Sequence, residues 1–181
     1  MLTYLKNVLQ LIISPDNGWE DVDADRRSHR SARGLLWMVV VAAFSVFIQL
    51  LYARHMPLVA MFQSAIIVMI TYGATCFIGY SVVASWLPRL NGGVLDADRM
   101  RQFSAYSVGL LSIQTMVSNM LPVTFAILEL WPIYVVVIMW RAMTVLDIPG
   151  EATGKYLLAV ILGFIVPSQL LPRVFNTVIM Q

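Results

Sequence analysis

The residues able to do chemistry are few and far apart. Glu129 is the single formal charge between Ser104 and Trp140, a stretch otherwise built of apolar and small polar residues. Placing a carboxylate at the centre of a bilayer costs about 2.5–3.5 kcal/mol on insertion scales, so it needs a partner, a proton or water. Such a group is a candidate for a proton or cation path. Its depth depends on where the chain reverses. A turn at Asn119 to Pro122 puts Glu129 roughly 10 Å below the outer surface, whereas a turn at Glu129 to Pro132 makes it a solvated loop acid. Arg141 and Asp147 are six positions apart, on opposite sides of a continuous helix, so each must find its partner elsewhere. Arg141 suits interfacial snorkelling, and Asp147 suits termination of a helix before Pro149. Gln49, Gln63, Gln114 and Asn119 are isolated amides in apolar surroundings, which suits hydrogen bonding between helices.

No catalytic grouping is present. The two histidines fall in different segments, Cys76 is the only cysteine, and the methionines are scattered rather than paired. There is no nucleophile beside a base, no phosphate-cradling glycine loop and no carboxylate pair within one apolar stretch. The sequence therefore points to neither an enzyme nor a cofactor or metal protein.

The elements that carry these residues are membrane elements. Of 181 residues, 59% are hydrophobic and 12% charged, which excludes most soluble classes. The stretch from Ser104 to Trp140 is too long for one crossing of about 30 Å and about right for two joined by a turn. The expected fold is all-α: a polytopic transmembrane bundle of five spanning helices, preceded by an amphipathic helix at the interface. The spans fall at about 34–52, 57–87, 103–119, 122–146 and 156–176, with residues 1–33 as a cytoplasmic amphipathic and juxtamembrane segment. Over Met1 to Ile13, Leu2, Leu5, Val8, Leu9, Ile12 and Ile13 share one arc and Thr3, Lys6, Asn7 and Gln10 the other, as in a helix lying flat on a membrane. Polar residues and following acids make this start unlike a cleaved signal peptide. Ser14 and Pro15 open a second short helix, and Trp19 reads as an interfacial anchor. The second span is too long for a perpendicular crossing, which predicts tilt, a projecting end, or a kink near Gly73 or Gly79. Asp96 reads as the cap of the helix that continues into the third span.

The basic residues set orientation. With the N-terminus inside, the inner segments hold Lys6, Arg26, Arg27, Arg30, Arg33, Arg89, Arg99, Arg101, Arg141 and Lys155, and the outer ones Arg54 and Arg173. Ten against two places the N-terminus in the cytoplasm and the C-terminus outside. Arg26, Arg27, Arg30 and Arg33 also form a candidate contact for anionic lipid or a partner protein. The net charge of +2 is explained by these flanks, so nucleic acid is not an expected partner.

The order of parts resembles the Yip1 family of small membrane proteins. The likeness runs through "SPDNGWEDV" after a short N-terminal helix, a first span, a long second span, "LNGG" leading through "RMRQFSAYSV" into the third, a proline-marked hairpin, and "IPGEATGKYLLAV" before the last. It covers nearly the whole chain. Two positions depart from the family pattern: no proline follows Tyr106 in the third span, and Asp147 stands in "LDIP" where glycine is favoured. The resemblance implies the five-span fold, a bacterial inner-membrane location and a hairpin turning at "SNMLP". Eukaryotic members bind prenylated Rab GTPases, but their acidic and proline-glycine motif has no counterpart here, so that activity is not carried over.

Together these readings lead to a non-enzymatic integral membrane protein. It is expected to act as a scaffold or accessory subunit, in contact with membrane lipids and with a membrane-protein partner or further copies of itself. The alternative is a small channel or transporter subunit that uses Glu129 and the polar residues of the bundle.

Overall fold

In the computed structural model, which describes residues 2–24, 30–51, 57–90, 96–121 and 126–179, 92% of the described residues are helical and none is in a strand. Two short helices, α1 (Leu2–Ile13) and α2 (Pro15–Ala24), precede α3 (Arg30–Phe44), which tightens into a 3-10 segment at Ser45–Leu51. The long α4 (Leu58–Leu90) and α5 (Ala97–Met120) follow, then α6 (Ala126–Glu129) and α7 (Trp131–Arg141). The last helix is composite: a 3-10 turn at Gly150–Ala152, α8 (Thr153–Val160), a π segment at Ile161–Ile165, and α9 (Val166–Ile179).

Three segments are long and apolar enough to cross a membrane: Arg33–Leu51, Leu58–Leu90 and Gly150–Val178. The two further expected crossings fall on α5 and on α6 with α7. Every residue of α5 from Gln102 to Ser112 is buried. A helix sheathed by protein needs no lipid-facing apolar stripe, and α5 accordingly carries Gln102, Ser104, Ser107 and Ser112 in its interior face. Asp96 caps it as expected, accepting the Asp98 N–H at 3.1 Å.

The chain reverses between Leu121 and Ala126. The Gln114 amide donates to the Leu128 carbonyl at 3.0 Å and the Trp131 indole to the Leu110 carbonyl at 2.9 Å, so α5 and the α6–α7 stretch run antiparallel. Of the two reversals open from sequence, this matches the one near Asn119; Pro122 itself lies outside the described residues. The second candidate site, Glu129 to Pro132, is only a soft break, because the Ile133 and Tyr134 N–H groups both reach the Leu130 carbonyl.

Helix α4 is unbroken, and 33 residues at 1.5 Å each make it about 50 Å long. The helix runs on through Gly73 and Gly79. The distortion expected there is found in the last helix instead: Pro167 has no N–H to give the Gly163 carbonyl, and the ladder widens so that Val166 bonds back to Ile161. That segment crosses α4 where both backbones are bare. A Cβ on Gly79 would lie 2.1 Å from the Phe164 ring, and one on Gly163 would lie 3.3 Å from the Gly79 Cα. Gly79 thus serves close packing, as its place among the small residues of the second span predicts; Gly73 faces open space.

The amphipathic arc expected of α1 is divided. Val8 and Leu11 are buried together with Tyr4 and Asn7, while Leu2, Leu5, Leu9 and Ile13 stay exposed. Asn7 is the correction: read as solvated, it is 4% exposed and donates to the Tyr106 hydroxyl at 3.2 Å. Tyr4 reaches α5 through the Ala105 carbonyl, and the Tyr134 hydroxyl of α7 donates to the Ile12 carbonyl at 2.6 Å. Helix α1 is therefore tied to α5 and α7 on one face, while Leu2, Leu5, Leu9 and Ile13 point outward together with Thr3 and Lys6.

Candidate functional site

Ion pairs gather at one end of the bundle. The Arg99 guanidinium, on the first turn of α5, reaches Asp23 of α2 at 3.1 Å and Asp147 beyond α7 at 3.0 Å. Arg141 approaches Asp16 of α2 at 3.6 Å, and Arg101 approaches Asp98 at 3.5 Å. Arg141 and Asp147 are thus unpaired with one another, as their spacing predicts, and each is tied to another element. Asp147 holds a left-handed backbone, φ 53°, which ends the turn ahead of Pro149. Arg33 is exposed on the first turn of α3, which Arg30 opens; Arg26 and Arg27 lie outside the described residues.

Trp19 is not an interfacial anchor. It is 2% exposed, its indole donates to the Ile138 carbonyl at 2.8 Å, and its ring stacks on Phe103 at 5.4 Å. Helix α2 folds back onto the bundle with Trp19 and Val22 buried, and two of its four acids, Asp16 and Asp23, meet Arg141 and Arg99 at the rim. Phe103 continues the cluster to Tyr156 at 6.3 Å and edge-on to Phe164 at 5.8 Å. Large aromatic side chains fill this half of the interior.

The opposite half is open. A cavity of about 550 Å³ lies between the 3-10 end of α3, α4, α5 and α9. Its volume is within the range of small-ligand sites. Gln49 and Asn119 form one wall: the Gln49 amide donates to Asn119 Oδ1 at 2.9 Å, and Asn119 Nδ2 donates to Ser45 Oγ at 2.9 Å. Gln169 of α9 meets Gln114 of α5 at the cavity's edge, its Nε2 donating to Oε1 of Gln114 at 3.5 Å. On α4, the Tyr72 hydroxyl lies 2.7 Å from Thr115 Oγ1 and donates to the Leu111 carbonyl at 3.1 Å. Thr71 lines the same wall, and its buried hydroxyl has no hydrogen-bond partner among the described residues. Arg173 and Asn176 complete the lining from α9.

Of the amides singled out by sequence, Gln49, Gln114 and Asn119 meet here, while Gln63 is outside the lining. Glu129 is also outside it: it ends α6, exposed, one residue past the Leu128 carbonyl that Gln114 holds. Counting from the α5 end at Met120 to Gln114, that level is about 9 Å below the top of the hairpin. The hydroxyls of Thr71, Thr115, Ser118 and Ser168, and Gln169, do not stand out in the sequence, whereas Arg173, one of the outer basic residues, joins them in the lining. A signal for them exists. Gln114, Thr115, Ser118 and Asn119 recur on one face of α5, and Ser168, Gln169, Arg173 and Asn176 cluster at one-turn spacing on α9.

Inward from Thr71, three further hydroxyls are buried without a partner among the described residues: Thr75 on α4, and Ser107 and Ser104 on α5. The bond from Tyr72 to the Leu111 carbonyl sets the register of the two helices and brings these hydroxyls to similar levels. They lead toward the aromatic cluster, which occupies the remaining interior.

Compared with family models, curated proteins and solved structures, the chain finds no match.

Proposed function

We propose that this is a five-span integral membrane protein that holds a polar ligand in a vestibule open toward the outer face, and that it serves as a binding or accessory subunit rather than a catalyst. The observation that carries the reading is the 550 Å³ cavity itself. Polar groups from four helices line it, three of which are otherwise apolar enough to cross a membrane, and intramembrane polar groups are costly to keep without a use. The inner half of the bundle is filled by Trp19, Phe103, Tyr156 and Phe164, which favours a closed vestibule over a pore. The ion-paired end, with Arg99, Arg101 and Arg141, takes the cytoplasmic side in this reading, and the amide-rich end with Arg173 faces out, in keeping with the arginine and lysine bias. The order of sequence motifs shared with Yip1-like proteins agrees with five spans in an inner membrane. Glu129, exposed on α6 about 9 Å down the hairpin, is the group best placed to meet a partner helix.

Accessibility labelling tests this. In intact cells, with Cys76 replaced by alanine, Ser118→Cys and Ser168→Cys are expected to react with a membrane-impermeant maleimide from outside. Asp98→Cys and Glu151→Cys are expected to react only after the inner face is exposed. Labelling of Ser118→Cys and Asp98→Cys from the same side would overturn the vestibule and the topology together.

A transport subunit is the second reading, favoured by the buried hydroxyls of Thr75, Ser107 and Ser104 that continue inward from the cavity. It requires the aromatic cluster to move. Solute flux in proteoliposomes, altered by Phe103→Ala, would support it over static binding.

A further inference from the structure

We infer that the vestibule takes an anion, a phosphate or carboxylate group, with Arg173 as its charge partner. The inference rests on the reading of the cavity as a binding site and adds the ligand's chemical class. Among the residues that line the cavity, Arg173 is the single formal charge, and there is no aspartate or glutamate. The arginines at the other end are treated differently: Arg99, Arg101 and Arg141 each have a carboxylate within 3.6 Å. Arg173 has none within 4.0 Å among the described residues.

Arg173 is exposed at the mouth of the cavity, where a charged group focuses counter-ions toward the cleft. Its planar fork matches two oxygens of a phosphate or carboxylate. The rest of the lining suits the same guest. Thr71 lines the cavity with its hydroxyl buried in the wall and without a partner among the described residues, and Ser64, Ser118 and Asn176 add polar groups. Val46, Ile67, Val68 and Pro172 supply apolar wall between them, which suits a group carried on an apolar body. A lipid phosphodiester and a free oxyanion offer the same chemistry to Arg173, and the experiment separates them.

The full chain, purified in a non-ionic detergent, is titrated with three probes: inorganic phosphate, phosphatidylglycerol and phosphatidylcholine. Thermal stability and bound adducts in native mass spectrometry are read together. Stabilisation by phosphatidylglycerol, or by both lipids through the phosphodiester they share, identifies a lipid headgroup site, and stabilisation by phosphate identifies a free-anion site; either supports the inference when it is lost in Arg173→Gln. In both cases Arg173→Gln is expected to weaken binding about tenfold or more, the scale of a hydrogen bond to a charged group, and Arg173→Lys by less. Thr71→Val, which removes the buried hydroxyl at nearly constant volume, is expected to weaken the same probe. Binding unchanged in Arg173→Gln overturns the inference, as does failure of both anionic probes. Should phosphatidylcholine bind as tightly as phosphatidylglycerol and lose affinity only in Thr71→Val, the anion assignment fails while the vestibule reading stands.

Discussion

The rings of Tyr4 and Tyr106 stack with centroids 4.5 Å apart and planes 22° from parallel, joining the first turns of the chain to the middle of the buried helix. The site is shaped for this ring. A Cβ on Gly34 of α3 would stand 2.2 Å from the Tyr4 ring, and one on Gly109 of α5 would stand 2.4 Å from its hydroxyl oxygen. Two glycines on neighbouring helices thus leave the slot that Tyr4 fills, and its hydroxyl closes the contact on the Ala105 carbonyl at 2.9 Å.

Truncating that ring should therefore release α1. Tyr4→Ala is expected to lower stability in detergent by about 3–5 kcal/mol, the range for removing a large buried aromatic. Tyr4→Phe, which keeps the stack, should cost about 1 kcal/mol. The two variants should also differ from wild type at high pH. Burial first, and then the charges that Tyr106 and Cys76 would carry on ionising, hold the Tyr4 hydroxyl well above its ordinary value of 10.0. A raised folded value means that the stabilisation is complete below about pH 10 and declines as pH rises toward the folded value. Thermal melts across that range should show an alkaline loss in wild type that is smaller in Tyr4→Phe; equal losses would contradict the assignment.

The crossing of α4 and the π segment depends on the absence of a side chain at Gly79. In Gly79→Ala the new methyl meets the Phe164 ring, which is wholly buried and has no room to withdraw. A loss of about 1–3 kcal/mol is expected, the usual cost of overpacking. Phe164→Leu should be destabilising alone and should partly rescue Gly79→Ala, a coupling that a double-mutant cycle measures. Additive effects would mean that the two residues are not in contact.

Asp147 sets two small effects against each other. Its left-handed backbone costs an L-residue about 1–2 kcal/mol, less for aspartate than for most, and glycine removes that cost. Its bond to Arg99 is the opposing term, but the Asp147 side chain is 68% exposed and an exposed ion pair contributes about 0.2–1 kcal/mol. Asp147→Gly should accordingly be neutral or slightly stabilising in chemical or thermal denaturation. Asp147→Val should be destabilising by about 1–2 kcal/mol, since a branched residue adopts that backbone poorly.

Local rules read from residues survived wherever neighbours in sequence decide the outcome. Pro15 begins α2, Asp96 caps α5, and the reversal falls beside Asn119 because polar and helix-breaking residues act within a few positions. What the sequence hid was set by distant partners. Trp19 reads as a membrane anchor in sequence because the partners that bury it, Phe103 and the Ile138 carbonyl, are more than eighty positions away. Asn7 looked solvated because its partner, Tyr106, lies on another helix. The cavity was legible only in part: its amides stood out as isolated polar residues, but the hydroxyls on α4 and α9 become its lining only once four helices share a register. Glu129 drew attention as a charge in an apolar run, yet the hairpin turns it outward and leaves the polar interior to uncharged groups and Arg173.

Asn119 is the residue whose removal should disturb the vestibule most directly, because it links two positions of one helix end at once. Its amide donates to Ser45 Oγ and its carbonyl accepts from Gln49, fixing the 3-10 end of α3 against α5. Ser45 in turn donates to the Ala42 carbonyl, so the contact extends one turn down α3. Asn119→Leu leaves the Gln49 amide facing an apolar side chain, and interhelical hydrogen bonds of this kind contribute about 0.6–2 kcal/mol each in membrane proteins. Two such bonds give an expected loss of about 1–4 kcal/mol. Gln49→Leu in the same background should cost little more, since its partner is already gone, and the cycle should return a coupling of about 0.6–2 kcal/mol. The same double variant should change the reactivity of Ser118→Cys toward an aqueous maleimide, because Ser118 shares the cavity wall with both amides. A stability loss with unchanged labelling would assign the pair to packing alone, and no loss at all would remove Asn119 from the site.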